Sequence, residues 1–161
     1  MKKIVLLVLM TFKLFAYDDY IGVGLGYSEL KGINIENDGM SFSVALGHKY
    51  GDHGRLHASA TYIYYDDPDI SGGSYSLAYD FLLPVTDNLE VYLGPVIGYS
   101  TYDQKNYNDS IAHVGVEAGI LFELTKNIEL EVGYNFLSGQ TKKAYFQANF
   151  FFDASKRFKY E

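Results

Sequence analysis

His57 and Ser59 are the residues whose types and spacing come closest to a reactive pair. They lie two apart in the run Arg55-Leu56-His57-Ala58-Ser59. In an extended chain, residues i and i+2 point to the same side, so an imidazole would stand beside a hydroxyl. Serine as nucleophile needs histidine as base and a carboxylate to orient the ring. His113 and Glu117 also share a face, at a strand spacing that makes no metal geometry by itself. Asp66, Asp67 and Asp69 surround Pro68. Carboxylates suit Ca²⁺ or Mg²⁺, although three acids around a proline also describe a solvated turn. The pattern assigns no catalytic residue, no cofactor-binding residue and no metal ligand. His57 and Ser59 are the candidates for catalysis, and Asp66, Asp67 and Asp69 the candidates for a cation. His57, Ser59, His113 and Glu117 are better explained as members of a polar network.

The elements that would hold these residues follow from a period of two. Tyr20-Ile-Gly-Val-Gly-Leu-Gly-Tyr-Ser28 places Ile21, Val23, Leu25 and Tyr27 on one face and glycines and a serine on the other. That period marks a β-strand with two chemically different sides. The same beat recurs to Phe152 and predicts eight strands, over 20–28, 39–50, 55–65, 73–83, 89–101, 110–124, 128–136 and 143–152. Pro95 interrupts the fifth and should mark a bulge or a local break in pairing. The connections after strands two, four and six are short. Those after one, three, five and seven are longer or richer in loop residues, as expected of an outer-membrane barrel. An even strand count leaves both termini on the short-turn side.

Composition narrows the setting. Lys2 and Lys3 precede a short apolar run, Ile4 to Met10, and Ala16 is a suitable last residue before cleavage. Residues 1–16 read as a secretory signal. Residues 17–152 read as one domain and 153–161 as a short polar tail. A net charge of −7 without a basic cluster argues against nucleic acid. There are no cysteines, hence no disulfide framework and no thiolate metal site. No apolar run after residue 16 is long enough for a transmembrane helix, so a membrane would be crossed by strands.

Alternation alone does not say which face meets lipid. Three features put the apolar face outside. The polar face is built largely of Gly, Ser and Ala, which suit the cramped lumen of an eight-stranded barrel. The aromatics fall toward strand ends in two groups: Tyr27, Tyr62, Tyr64, Tyr75, Tyr99 and Tyr134 near the long connections, and Tyr20, Tyr50, Phe81, Phe122, Phe150 and Phe152 near the short ones. Two such belts match the two membrane interfaces. The polar face also carries both signs of charge: Lys49, Arg55 and Lys143 with Asp80, Glu90, Glu117, Glu123, Glu129 and Glu131. In a narrow lumen these would pair.

With its signal-like start, the GVGLGY first strand, the LGPVIGY fifth strand, the Thr-x-Asn turns at 86–88 and 125–127 and the aromatic last strand, the chain resembles the small OmpA-type outer-membrane β-barrels in their single-domain form. The resemblance implies an eight-stranded antiparallel up-and-down transmembrane β-barrel. It also implies that YFQANFFF, ending at Phe152, serves as the signal for the barrel-assembly machinery. The chain looks similar, too, to the outer-membrane lipid A deacylases, which carry a His-x-Ser on one strand. Their Asn-Ala-Gly continuation is replaced here by Ala60-Thr61-Tyr62.

The function expected is that of an integral outer-membrane barrel, monomeric and without cofactor. Lipid and lipopolysaccharide would surround it, and its extracellular loops would carry a structural or surface-interaction role. A filled eight-stranded lumen leaves no wide pore. The alternatives are a lipid A-modifying enzyme using His57 and Ser59, and a soluble periplasmic lipocalin-like barrel with its apolar face inward around a ligand.

Overall fold

The computed structural model describes residues 19–31, 36–65, 70–104, 107–138 and 141–152. The signal segment 1–16 and the tail 153–161 fall outside them, as do Asp66, Asp67 and Asp69. Eight strands form a closed barrel in sequence order. They are β1 (Asp19–Lys31), β2 (Glu36–Tyr50), β3 (Gly54–Tyr65), β4 (Ile70–Thr86), β5 (Leu89–Gln104), β6 (Tyr107–Thr125), β7 (Ile128–Leu137) and β8 (Thr141–Phe151). Each pairs antiparallel with its neighbour, and β1 closes on β8 from Tyr20↔Phe151 to Leu30↔Thr141. Closure gives the strand backbones partners all the way round, which an open sheet cannot do in hydrocarbon.

Both described chain ends lie at the rim formed by the turns at 51–53, 87–88 and 126–127, and Phe152 N–H donates to the Asp19 carbonyl at 3.1 Å. Gly51 takes φ +60° in the first of these turns, where an L side chain would be strained. At the opposite rim β1, β3, β5 and β7 end at Lys31, Tyr65, Gln104 and Leu137, and β2, β4, β6 and β8 begin. Most of the polar residues expected there to be loop are strand instead. The β1–β2 ladder continues to Lys31↔Glu36 and the β5–β6 ladder to Gln104↔Tyr107. Polar side chains do not stop a ladder, because backbone groups make it.

Pro95 lies within a continuous β5. The β4–β5 pairs run to Ala78↔Val96 and resume at Phe81↔Leu93 in the same register, so the interruption beside this donor-less residue is local. The register shifts come instead at Pro84/Thr86 and Glu123/Thr125, next to the turns.

The facing is apolar out, polar in. Val23, Phe42, Leu77, Ile97, Val116 and Phe146 are among the large apolar side chains exposed on the outer wall. The rings expected in the two belts also point outward, with Tyr27, Tyr64, Tyr75, Phe81 and Phe152 each more than half exposed. Tyr20 corrects the pattern. It belongs to the inward parity of β1, is 1% exposed, and packs on Phe151 with ring centroids 5.1 Å apart. Its ring covers Gly47, where any Cβ would overlap it.

Candidate functional site

The barrel interior holds the candidate residues. On β3 the inward side chains are Arg55, His57, Ser59 and Thr61, each two residues after the last, as the strand period requires. Arg55 is fully buried. Its Nε donates to Asp80 Oδ2 at 2.8 Å, and its two terminal nitrogens reach both Glu131 oxygens at 2.7 and 2.8 Å. This is the bidentate fork that guanidinium makes with carboxylate. The guanidinium carbon also lies 4.7 Å from the Tyr92 ring centroid, within cation–π range.

Glu131 is saturated from the far wall. It accepts from Tyr145 Oη at 3.0 Å, Gln147 Nε2 at 3.3 Å and Asn149 Nδ2 at 3.0 Å. Nearer the turns, Lys49 donates to Glu129 at 2.5 Å and to Glu90 at 2.7 Å. The pairs span the lumen: Lys49, Arg55 and His57 come from β2 and β3, Glu117, Glu129 and Glu131 from β6 and β7. Buried charge persists under such pairing.

Space for the large polar groups comes from glycine. Tyr92 and Tyr145 join hydroxyl to hydroxyl at 2.7 Å. A Cβ on Gly133 would strike both rings, and one on Gly119 would come within 2.5 Å of Tyr92 Oη. Sequence reading put Tyr20 in a belt and passed over Tyr92 as a lumen group. The usable signal was parity: Tyr92 alternates with Val91 and Leu93, and its partner across the β5–β6 ladder is Gly119.

Toward the other rim the lumen becomes hydroxyl-rich. Ser59 Oγ meets Ser76 Oγ at 2.7 Å, Ser100 Oγ donates to Ser74 Oγ at 3.1 Å, and Lys143 donates to Thr61 Oγ1 at 2.9 Å. Beyond them Ile63, Tyr65 and Tyr102 form a buried apolar cluster. A second cluster, Leu82, Tyr92 and Leu121, lies toward the turns. Charged, hydroxylic and apolar layers together fill the bore.

His57 and Ser59 share the inward face as expected, but they are engaged separately. His57 Nε2 contacts Glu117 Oε1 at 2.6 Å and Asp80 Oδ2 at 3.3 Å. The Ser59 hydroxyl bonds Ser76. Histidine therefore has its carboxylate, while the serine is tied to a hydroxyl on the next strand. His113 is buried apart from Glu117, beside Gly98. Donor atoms of His57, Asp80 and Glu117 all lie within 4.8 Å of one another.

On the outer wall Tyr62, Gly73, Thr101 and Ser110 are successive cross-strand partners from β3 to β6. The missing side chain at Gly73 helps open a groove of about 440 Å³ there, with Asp103 in its lining.

No protein-family model and no curated protein sequence matches the chain. Solved structures do match it. The Neisserial surface protein A aligns over 83% of this chain and 97% of its own at 16% identity, TM-score 0.66. The N-terminal β-barrel domain of Pseudomonas aeruginosa OprF aligns over 83% and 97% at 13% identity, TM-score 0.63. Outer membrane protein H of P. aeruginosa aligns over 84% and 100% at 22% identity, TM-score 0.58. At these identities the likeness is one of fold: this chain has the eight-stranded barrel fold of small outer-membrane proteins.

Proposed function

We propose that this chain is an integral barrel of a bacterial outer membrane, with a structural or surface-interaction role at its loop-bearing rim. The observation that carries the reading is the facing of the wall. Large apolar side chains are exposed all around the outside, and charged pairs fill the inside. Soluble proteins rarely expose a continuous apolar belt, whereas a hydrocarbon layer requires one. A soluble barrel closed around an apolar ligand would have the opposite facing.

A wide pore is excluded by the same packing, since Arg55, Glu131 and their partners occupy the bore. This leaves the rim, the wall and the lipid around it as the functional surfaces. The similarity in fold to a Neisserial surface protein supports a role at the cell surface. The partners proposed are outer-membrane lipid and lipopolysaccharide around the wall, and the barrel-assembly machinery during biogenesis. The barrel acts as a monomer.

The test is topological. An epitope inserted between Gly139 and Gln140 should be labelled by antibody on intact cells, and one inserted at Asp87 only after the outer membrane is opened. Labelling of both, or of neither, in a membrane-fractionated protein would refute the orientation. Recovery of the chain in the soluble fraction would refute the membrane reading itself.

A further inference from the structure

We propose that His57, Asp80 and Glu117 form a buried site for a divalent transition metal of the Zn²⁺ class, closed inside the barrel. The three residues come from β3, β4 and β6 and are all buried, at 6%, 0% and 1% exposure. One imidazole with two carboxylates is an N/O donor set that Zn²⁺ accepts, with a fourth position left for water.

The spacing fits with little movement. In a tetrahedral Zn²⁺ site, bonds near 2.0–2.1 Å separate ligand atoms by about 3.3 Å. His57 Nε2 and the Asp80 carboxylate already stand 3.3 Å apart at the oxygen that Arg55 holds, Oδ2, and a turn of the carboxylate would present Oδ1 to the ion. His57 Nε2 and Glu117 Oε1, at 2.6 Å, would open by less than an ångström, within the reach of the Glu117 side chain.

Two further observations point to a cation. Arg55 holds Asp80 by Oδ2, while Asp80 Oδ1 is buried without a hydrogen-bond partner among the described residues. A carboxylate clamped through one oxygen and open at the other is how an outer-shell arginine orients a metal ligand. Asp80 Oδ1 lies over Gly94, where a Cβ would sit 2.7 Å from it, so the absent side chain keeps that oxygen uncovered. Charge balance points the same way. Lys49, Arg55 and Lys143 stand in the lumen with Glu90, Glu129, Glu131, Asp80 and Glu117, and Glu117 has His57 as its ion-pair partner. With His57 neutral, as a metal ligand must be, these five carboxylates face three cations, and a divalent ion offsets the difference.

A closed lumen admits the ion during folding, so binding and assembly are coupled. The experiment is refolding of the untagged chain from urea into detergent micelles, with Zn²⁺ or with a chelator. Desalting and elemental analysis of the folded, gel-shifted fraction follow. The result expected is about one Zn²⁺ per chain, retained when chelator is added after folding, and at most a tenth as much in His57→Gln and in Glu117→Gln. His48→Gln should bind as wild type does. Co²⁺ in place of Zn²⁺ should give the visible bands of a tetrahedral N/O site. Less than a tenth of a Zn²⁺ in folded wild type would overturn the proposal and leave His57 as the ion-pair partner of Glu117 alone. Full binding by folded His57→Gln would also overturn it. If the variants fail to fold, wild-type stoichiometry and the Co²⁺ spectrum decide alone.

Discussion

Replacing Arg55 with Met should cost about 3–5 kcal/mol, the usual result of removing one partner from a buried ion pair. The structure supports the upper part of that range. Arg55 has no exposed surface and donates three hydrogen bonds to carboxylates that are themselves fully buried. Met fills much of the same volume, so the loss is electrostatic rather than a cavity. It strands Asp80 and Glu131 in the lumen, and hydrogen bonds to charged groups are worth roughly 1.5–3 kcal/mol each. The assay is urea unfolding in detergent or lipid vesicles, followed by far-UV circular dichroism, because the chain has no tryptophan. The triple variant Arg55→Met, Asp80→Asn, Glu131→Gln should recover most of the loss, since it removes the stranded charges too. Added salt should change neither result, because a buried pair is poorly screened. A loss below ~1 kcal/mol for Arg55→Met, or a triple variant no better than the single, would refute the claim that Arg55 neutralises the lumen.

Val116→Arg puts a charge on the outer wall midway along β6 and should cost about 2–4 kcal/mol or block assembly, read as loss of the gel-shifted form. Gly133→Val drives side-chain atoms into Tyr92 and Tyr145 and should destabilise by roughly 1–3 kcal/mol, measured by the same urea titration. Tyr92→Phe removes the hydroxyl bond to Tyr145 and should cost about 1 kcal/mol. Ser59→Ala should leave the lipid A profile of the host unchanged by mass spectrometry, because the hydroxyl engages Ser76. A changed profile would revive the deacylase alternative.

Which side chains face inward was legible from parity. His57, Glu117, Glu129 and Glu131 stand on the polar face that alternation assigned to them. Tyr20 escaped because residue type was weighed above parity: a terminal tyrosine suggests a belt, yet its position in β1 turns it inward. Strand ends escaped because Gly39-side and Tyr107-side polar residues pair through their backbones as well as apolar ones do. Which lumen groups meet depends on the stagger of eight strands. Arg55 is 76 residues from Glu131 in sequence, and no local pattern in one chain records that contact. The role of Asp66, Asp67 and Asp69 lies outside the described residues.

The most direct test of the account is the facing of β6. Because the chain has no native cysteine, single cysteines at positions 114 to 120 can each carry a small fluorophore. Refolded into vesicles containing nitroxide-labelled lipid, Val114, Val116, Ala118 and Ile120 positions should be strongly quenched. Gly115, Glu117 and Gly119 positions should not, giving a period of two. Quenching with the opposite phase, or with no alternation, would contradict a barrel that presents its apolar face to lipid and its charges to the lumen.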